Sequence, residues 1–285
     1  MSQPIRRAAV AGTWYSGRPD VLAHDVDQHL AQVHRIAEGE IVGLIVPHAG
    51  LMYSGPVAAH AYKSVAGRAY DVVVLIGPSH YAGFEGVAMQ RSGSFETPLG
   101  RVPISEADAD AVASACPAVH DRPAAHAREH SLEMQLPFLQ RVLPDTPIVP
   151  LVMGHQTPET VRQLADALVG ALTPRRALLV ASSDLSHFQD SDRAARLDGV
   201  VVHAVDRFDP EALARALAKF PDHACGGGPL VTAMLAARGL GAADARVMKY
   251  ADSGDVSGDK ASVVGYLAAV LGTLTAEASE EAMSS

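Results

Sequence analysis

IVGLIVPHAG, residues 41–50, carries an apolar, β-branched run straight into a proline, a histidine, an alanine and a glycine. So continuous an apolar run reads as a strand buried on both faces, and the Pro/Gly punctuation ends it. His48 therefore falls just beyond the strand's carboxyl end. DVVVLIGPSH (71–80) repeats the layout and places His80 the same way. ALLVASSDLSH (177–187) repeats it again and brings Asp184 and His187. In open α/β sheets, ligands bind in the crevice outside the carboxyl ends of the strands. Three such strand ends predict one shared rim with a site on it.

Outward from these strands, apolar runs alternate with helical periodicity. Helices are expected over 21–36 (through Leu22, Val26, Leu30 and Val33), 106–115, 158–172, 190–208 and 210–219, and from CGGGP (225–229) through Leu235. Another is expected over 54–65, capped by Ser54 or Gly55 with Pro56 near its first turn, and another over 129–142 in spite of Pro137. Further strands are expected at 86–90 and 100–104, around the turn-rich SGSFETPLG, and at 147–153, 246–250 and 262–271. The Pro-rich stretch 116–128 reads as a surface loop in preference to a flap, and 251–260 as a polar loop. The N-terminal arm, with Arg6, Arg7, Trp14 and Tyr15, reads as packed on the body in preference to binding anything. The pattern predicts a single α/β domain over 1–272, with a mostly parallel or mixed central sheet flanked by helices on both faces, and a flexible tail over 273–285.

Composition narrows the function. The 285 residues are 48% hydrophobic, which is a globular composition. The formal charge of −9, with no compensating basic block, argues against nucleic acid. No apolar run spans a bilayer and no secretory leader is evident, so no membrane association and a cytoplasmic location are expected. Two cysteines, Cys116 and Cys225, are too few for a disulfide scaffold.

The 13 histidines matter by where they cluster. His48 and His80 at equivalent strand ends read as metal ligands, since neutral imidazole suits zinc, copper and iron. Cys225, just before a helix start, reads as a metal ligand, a nucleophile or a tight-turn residue; Cys116 has no such context. Asp184 and His187 serve equally as ligands, supporting groups, a general-base pair or a polar turn capping the next helix. His130 and Glu133, three apart, would share a helix face toward the rim. EHSLE is not the HExxH zinc signature, and no G-x-S-x-G elbow exists for a serine hydrolase.

Six stretches in order, AGTWY (11–15), PHAG (47–50), GPSH (77–80), EHSLEMQLPFL (129–139), SSDLSH (182–187) and CGGGP (225–229), resemble the Memo family. Its bacterial and archaeal members are catalogued as the B protein of the AmmeMemoRadiSam system. The resemblance implies a fold similar to class III extradiol dioxygenases, which hold iron(II) with two histidines and a glutamate. It implies a metal shell of two histidines and a cysteine, here His48, His80 and Cys225. His130, Asp184 and His187 would line the same cleft as catalytic residues. A thiolate in place of a carboxylate softens the site and favours copper or zinc more than the dioxygenase set does; the cofactor expected is iron or copper, with zinc as a further option. The implied function is a metal-dependent oxidoreductase acting on a small molecule or peptide. The alternative is a non-catalytic module that binds a peptide or protein in the dioxygenase-like cleft. A functional link to a radical S-adenosylmethionine (radical SAM) protein and an AMMECR1-like protein is also implied.

Overall fold

Apolar runs bounded by Gly, Pro and polar turns fold into strands and helices that alternate along the chain, and the computed structural model describes residues 4–275. Its first half comprises β1 (Ile5–Arg6), α1 (Pro19–Ala31), β2 (Gly39–Val46), α2 (Leu51–Lys63), β3 (Val72–Pro78), β4 (Val87–Met89), β5 (Ser94–Thr97), β6 (Gly100–Pro103), α3 (Glu106–Ala115), β7 (Val119–Asp121) and α4 (Pro123–His126). A 3₁₀ turn (Glu133–Gln135) then leads into α5 (Leu136–Val142), β8 (Ile148–Met153), α6 (Pro158–Leu172), β9 (Ala177–Ser182) and β10 (His187–Gln189). The chain closes with α7 (Ser191–Asp206), α8 (Pro210–Lys219), α9 (Gly227–Gly239), β11 (Asp244–Asp252), α10 (Gly254–Ser257) and β12 (Val263–Leu274).

The main sheet is mixed and runs β10-β12-β2-β9-β3-β8-β4-β7, with β11 also paired to β12. Its centre, β2-β9-β3-β8, is parallel. Residues Val72–Ile76 of β3 and all of β8 and β9 are buried, as strands covered on both faces must be. Each such Val, Ile or Leu contributes about 1.5–3 kcal/mol by leaving water. Helix α9 packs on β9, β2 and β3, with α6 and α8 against it; α2 packs on β12, β11 and β2, with α1 and α5 against it. A small sheet, β1-β5-β6, holds the N-terminal arm. No helix is long and apolar enough to cross a membrane among the described residues.

Several expected elements need correction. SGSFETPLG is not simply a turn: Ser94–Thr97 is a strand, paired to both β1 and β6. The 116–128 stretch carries β7, which extends the main sheet, and the single turn α4. Helix α2 starts at Leu51 and not at Ser54, because the Trp14 carbonyl takes the Leu51 N–H (2.8 Å), a cap supplied from far away in sequence. Pro56 therefore lies inside that helix. The last strand runs to Leu274, two residues into the expected tail; positions 276–285 lie outside the described residues.

The largest departure is at 129–142. Glu129–Leu132 is not helical, and α5 begins only at Leu136, with Pro137 in its first turn where a missing N–H is harmless. His130 and Glu133 consequently do not share a face. Glu133 turns to the buried Arg6 guanidinium and also accepts the N–H groups of Ala9 (2.8 Å) and Val10 (3.1 Å) and the Tyr15 hydroxyl. Arg6 also donates to the carbonyls of His126 and Glu129. This buried ion pair clamps the N-terminal arm onto the segment that carries His130.

Removing one partner of such a pair strands the other charge in the interior. Glu133→Ala is expected to destabilise the fold by roughly 3–5 kcal/mol, read as a lowered midpoint in urea unfolding. Arg141→Ala, which breaks the exposed pair with Asp27, is expected to cost less than about 1 kcal/mol.

Candidate metal centre

β9 lies between β2 and β3, so three parallel strands deliver their carboxyl ends side by side: Val46 pairs with Ser182, and Ala181 with Ile76. His48, Asp184 and His80 leave the sheet there. The fourth contributor, Cys225, arrives from the loop before α9. Gly226 makes that approach possible, because a Cβ on it would lie 2.6 Å from the Ser182 carbonyl oxygen and 2.8 Å from the Ser183 Cβ. Gly77 does the same for the 129–132 segment, since a Cβ there would sit 2.7 Å from the Ser131 hydroxyl oxygen.

The ligand atoms of His48, His80 and Cys225 all lie within 4.8 Å of one another. Cys225 Sγ is 3.3 Å from His48 Nε2, and the two imidazoles meet edge to face with centroids 5.2 Å apart. Ligands of one zinc-sized ion stand about 3–4 Å apart when each is about 2.0–2.3 Å from the metal. The group therefore fits a metal ion with small adjustment.

The hydrogen bonds decide which imidazole nitrogen is free. The Ser182 hydroxyl donates its one proton to the Ser131 carbonyl (2.7 Å) and accepts from Gln135 Nε2 (2.8 Å). Its contact with His48 Nδ1 (2.8 Å) must then be a second acceptance, so Nδ1 carries the proton and Nε2 the lone pair. His80 Nδ1 likewise donates to Glu129 Oε1 (2.9 Å), which leaves its Nε2 free. Each ring is held by a hydrogen bond at Nδ1 on its far side and presents Nε2 as the ligand atom, as metal-binding histidines require.

Glu129 escapes notice in the sequence, where His130 and Glu133 of the same motif draw attention. Its carboxylate accepts the His80 N–H (2.6 Å) and His80 Nδ1, and the N–H groups of His130 and Ser131 (2.9 Å each). Burial works against its ionisation, but the bonds from His80 and Ser131 prevail and bring its pKa down to about 2. With His80 and His130 it forms a second group of closely spaced ligand atoms. Three of the four N–H groups fall on Oε1 and one on Oε2, so the carboxylate is engaged chiefly in orienting His80 and the backbone around it. The usable signal was a carboxylate adjoining a histidine in a segment whose helical pattern Pro137 interrupts.

His130 stacks on His80 (4.4 Å between centroids), meets His48 edge to face (5.5 Å) and lies against Trp14 (4.2 Å). Its buried Nδ1 has no hydrogen-bond partner. Burial and the proximity of His80 lower its pKa to about 4. Trp14, expected to be simple packing, thus forms one wall of the site.

Asp184 orients no histidine ring. Its carboxylate accepts the backbone N–H of His48 (2.7 Å), and its own N–H donates to Cys225 Sγ (3.3 Å). Burial pushes its pKa up to about 7. Cys225 is pushed up to about 12, first by burial and then by the neighbouring Asp184 charge. His48 is depressed well below the usual histidine range by burial and by its neighbouring histidines. His187 lies on β10, outside the close group. There Phe188 takes a φ of 59° and the register against β12 shifts. His187 lines a cavity that it shares with Cys225.

Fold and site together define an α/β protein with a His/His/Cys group able to hold a metal ion. The family profile described as Memo-like protein matches residues 6–270. A MEMO1 family protein of Pyrobaculum aerophilum is 40% identical over 273 residues, covering 92% of this chain and 97% of the relative. One from Thermotoga petrophila is 37% identical, covering 93% and 99%. The crystal structure of an uncharacterized protein, JW3007, from Escherichia coli shares the fold, with a TM-score of 0.53 at 15% identity over 80% of this chain and 99% of that one. The chain belongs to the Memo-like family.

Two outcomes test the geometry. Glu129→Gln and Ser182→Ala, which loosen the rings without removing a ligand atom, are each expected to weaken metal binding roughly 10–100-fold in a chelator-competition titration. The second outcome concerns pH. Cys225 is protonated at neutral pH and must lose that proton to bind metal, whereas His48 is already neutral. Apparent affinity is therefore expected to rise about tenfold per pH unit between about pH 7 and 9; a flat profile contradicts thiolate ligation.

Proposed function

We propose that the protein is a metal-dependent oxidoreductase that holds iron or copper through His48, His80 and Cys225. The observation that carries this reading is that ligand atoms of His48, His80 and Cys225 lie within 4.8 Å of one another while both Nδ1 atoms are engaged elsewhere. Three protein ligands leave coordination positions open. A redox-active ion held by these three residues would supply one-electron chemistry toward a small substrate or dioxygen.

The chain's own residues have separable tasks. Glu129 and Ser182 hold the two imidazoles. Asp184 fixes the His48 backbone and places an N–H against the sulfur, which favours thiolate over thiol. His130 is neutral, water-poor and unpartnered at Nδ1, so it is free to take a proton at the site's edge. His187 stands on the cavity side as a second proton carrier. A cytoplasmic location and a pathway shared with a radical SAM protein and an AMMECR1-like protein belong to the same reading and rest on the family resemblance.

Anaerobic purification followed by elemental analysis tests the shell. His48→Ala and Cys225→Ala are expected to lose metal while keeping the wild-type circular dichroism spectrum; stoichiometric metal in both variants refutes the assignment. Dioxygen uptake with candidate catechols, measured on the metal-loaded protein, is expected to fall in His130→Ala with metal content unchanged.

A further inference from the structure

Beside the metal group lies a cavity of about 810 Å³. Small-molecule sites typically enclose roughly 300–1,000 Å³. Its apolar wall is built by Val161 of α6, Leu197 of α7, Val231 of α9, and Ala214, Leu217 and Ala218 of α8. Ala214 and Ala218, four apart on one helix face, give the cavity much of its room by being small. Cys225 and His187 also line it, so it borders the metal group.

The charge pattern of the lining is selective. No Lys or Arg lines the cavity among the described residues, and its one carboxylate is the exposed Asp222. The start of α9 also forms part of the lining, and a helix start ordinarily attracts anions. Here, however, the Gly226 N–H donates to the Ser183 hydroxyl oxygen (2.8 Å) and the Gly228 N–H to Gln156 Oε1 (2.6 Å). These two donors are already satisfied from within the chain. Before a metal is bound, a phosphate or carboxylate entering this space would give up hydration and meet no Lys or Arg in return.

We infer that this cavity admits the substrate of the metal centre, and that the substrate is an uncharged, mainly apolar small molecule and not an anion. The inference deepens the proposed function, and it rests on that reading only in calling the ligand a substrate. The cavity's preference for uncharged molecules stands independently.

The test uses the full chain and two probes of one shape, 1-naphthol and its phosphate monoester, titrated by calorimetry with metal-loaded and metal-free protein. Naphthol is expected to bind the metal-free protein about tenfold or more tightly than naphthyl phosphate, because there the phosphate is desolvated with no Lys or Arg to pair with. Ala214→Phe and Ala218→Phe, exposed helix positions that fill the space from outside, are expected to abolish naphthol binding with metal content unchanged. Asp222→Lys is expected to narrow the gap by improving the phosphate alone. Equal or tighter binding of the phosphate overturns the inference, as does binding of neither probe, or naphthol binding unaffected by both fillings. Naphthol bound by a wild-type protein that takes up no metal leaves the cavity standing and removes the redox reading. Metal taken up without naphthol does the reverse.

Discussion

The hydrogen bond from His48 Nδ1 to the Ser182 hydroxyl ties the end of β2 to the end of β9, and the rest of the site depends on it. It exists because the two strands are parallel neighbours in register, so that both chains leave the sheet at the same height. Ser182 accepts from His48 only because its proton is committed to Ser131 and Gln135 supplies its other contact. One hydroxyl thus joins β2, β9 and the 129–135 segment, and fixes the tautomer of an imidazole 3.3 Å from a thiol. Glu129 performs the corresponding task for His80 with a carboxylate.

Burial gives this arrangement its chemical character. In the metal-free protein the same low-dielectric surroundings keep His48 neutral and Cys225 protonated. One half of the donor set is ready for a cation, while the other must exchange a proton for it. The thiol can donate to the Nε2 lone pair, and an incoming ion takes the place of that proton. The Asp184 N–H already directed at the sulfur lessens the cost of the exchange. The ion pair of Arg6 with Glu133, some distance away, keeps Trp14 and the 129–132 segment in position around His130.

Much of this was legible in the sequence, for a physical reason. A parallel strand buried on both faces has a nearly uniform apolar composition, so β2, β3 and β9 declared themselves, and the residues after them fell at the rim. His48 and His80 needed only that reading. For Cys225 the residues alone left ligand, nucleophile and tight-turn readings open, and the resemblance chose the first; Gly226 beside it removes the side chain that would keep this loop away from Ser182 and Ser183. What the sequence concealed depends on long-range partners. Helix α2 starts at Leu51 because of a carbonyl from Trp14, and Glu133 faces away from the site because Arg6 lies on the other side. Glu129 was hidden for the same reason: its role comes from the backbone and ring of His80, 49 positions earlier. Periodicity sees neighbours on one element and misses such pairings.

The most direct measurement is X-ray absorption at the edge of the bound metal, comparing wild type with Cys225→Ser. The account predicts one sulfur at about 2.3 Å and two imidazole nitrogens at about 2.0–2.1 Å, with the sulfur shell absent and the nitrogens retained in the variant. A wild-type spectrum with only oxygen and nitrogen around the ion would contradict it.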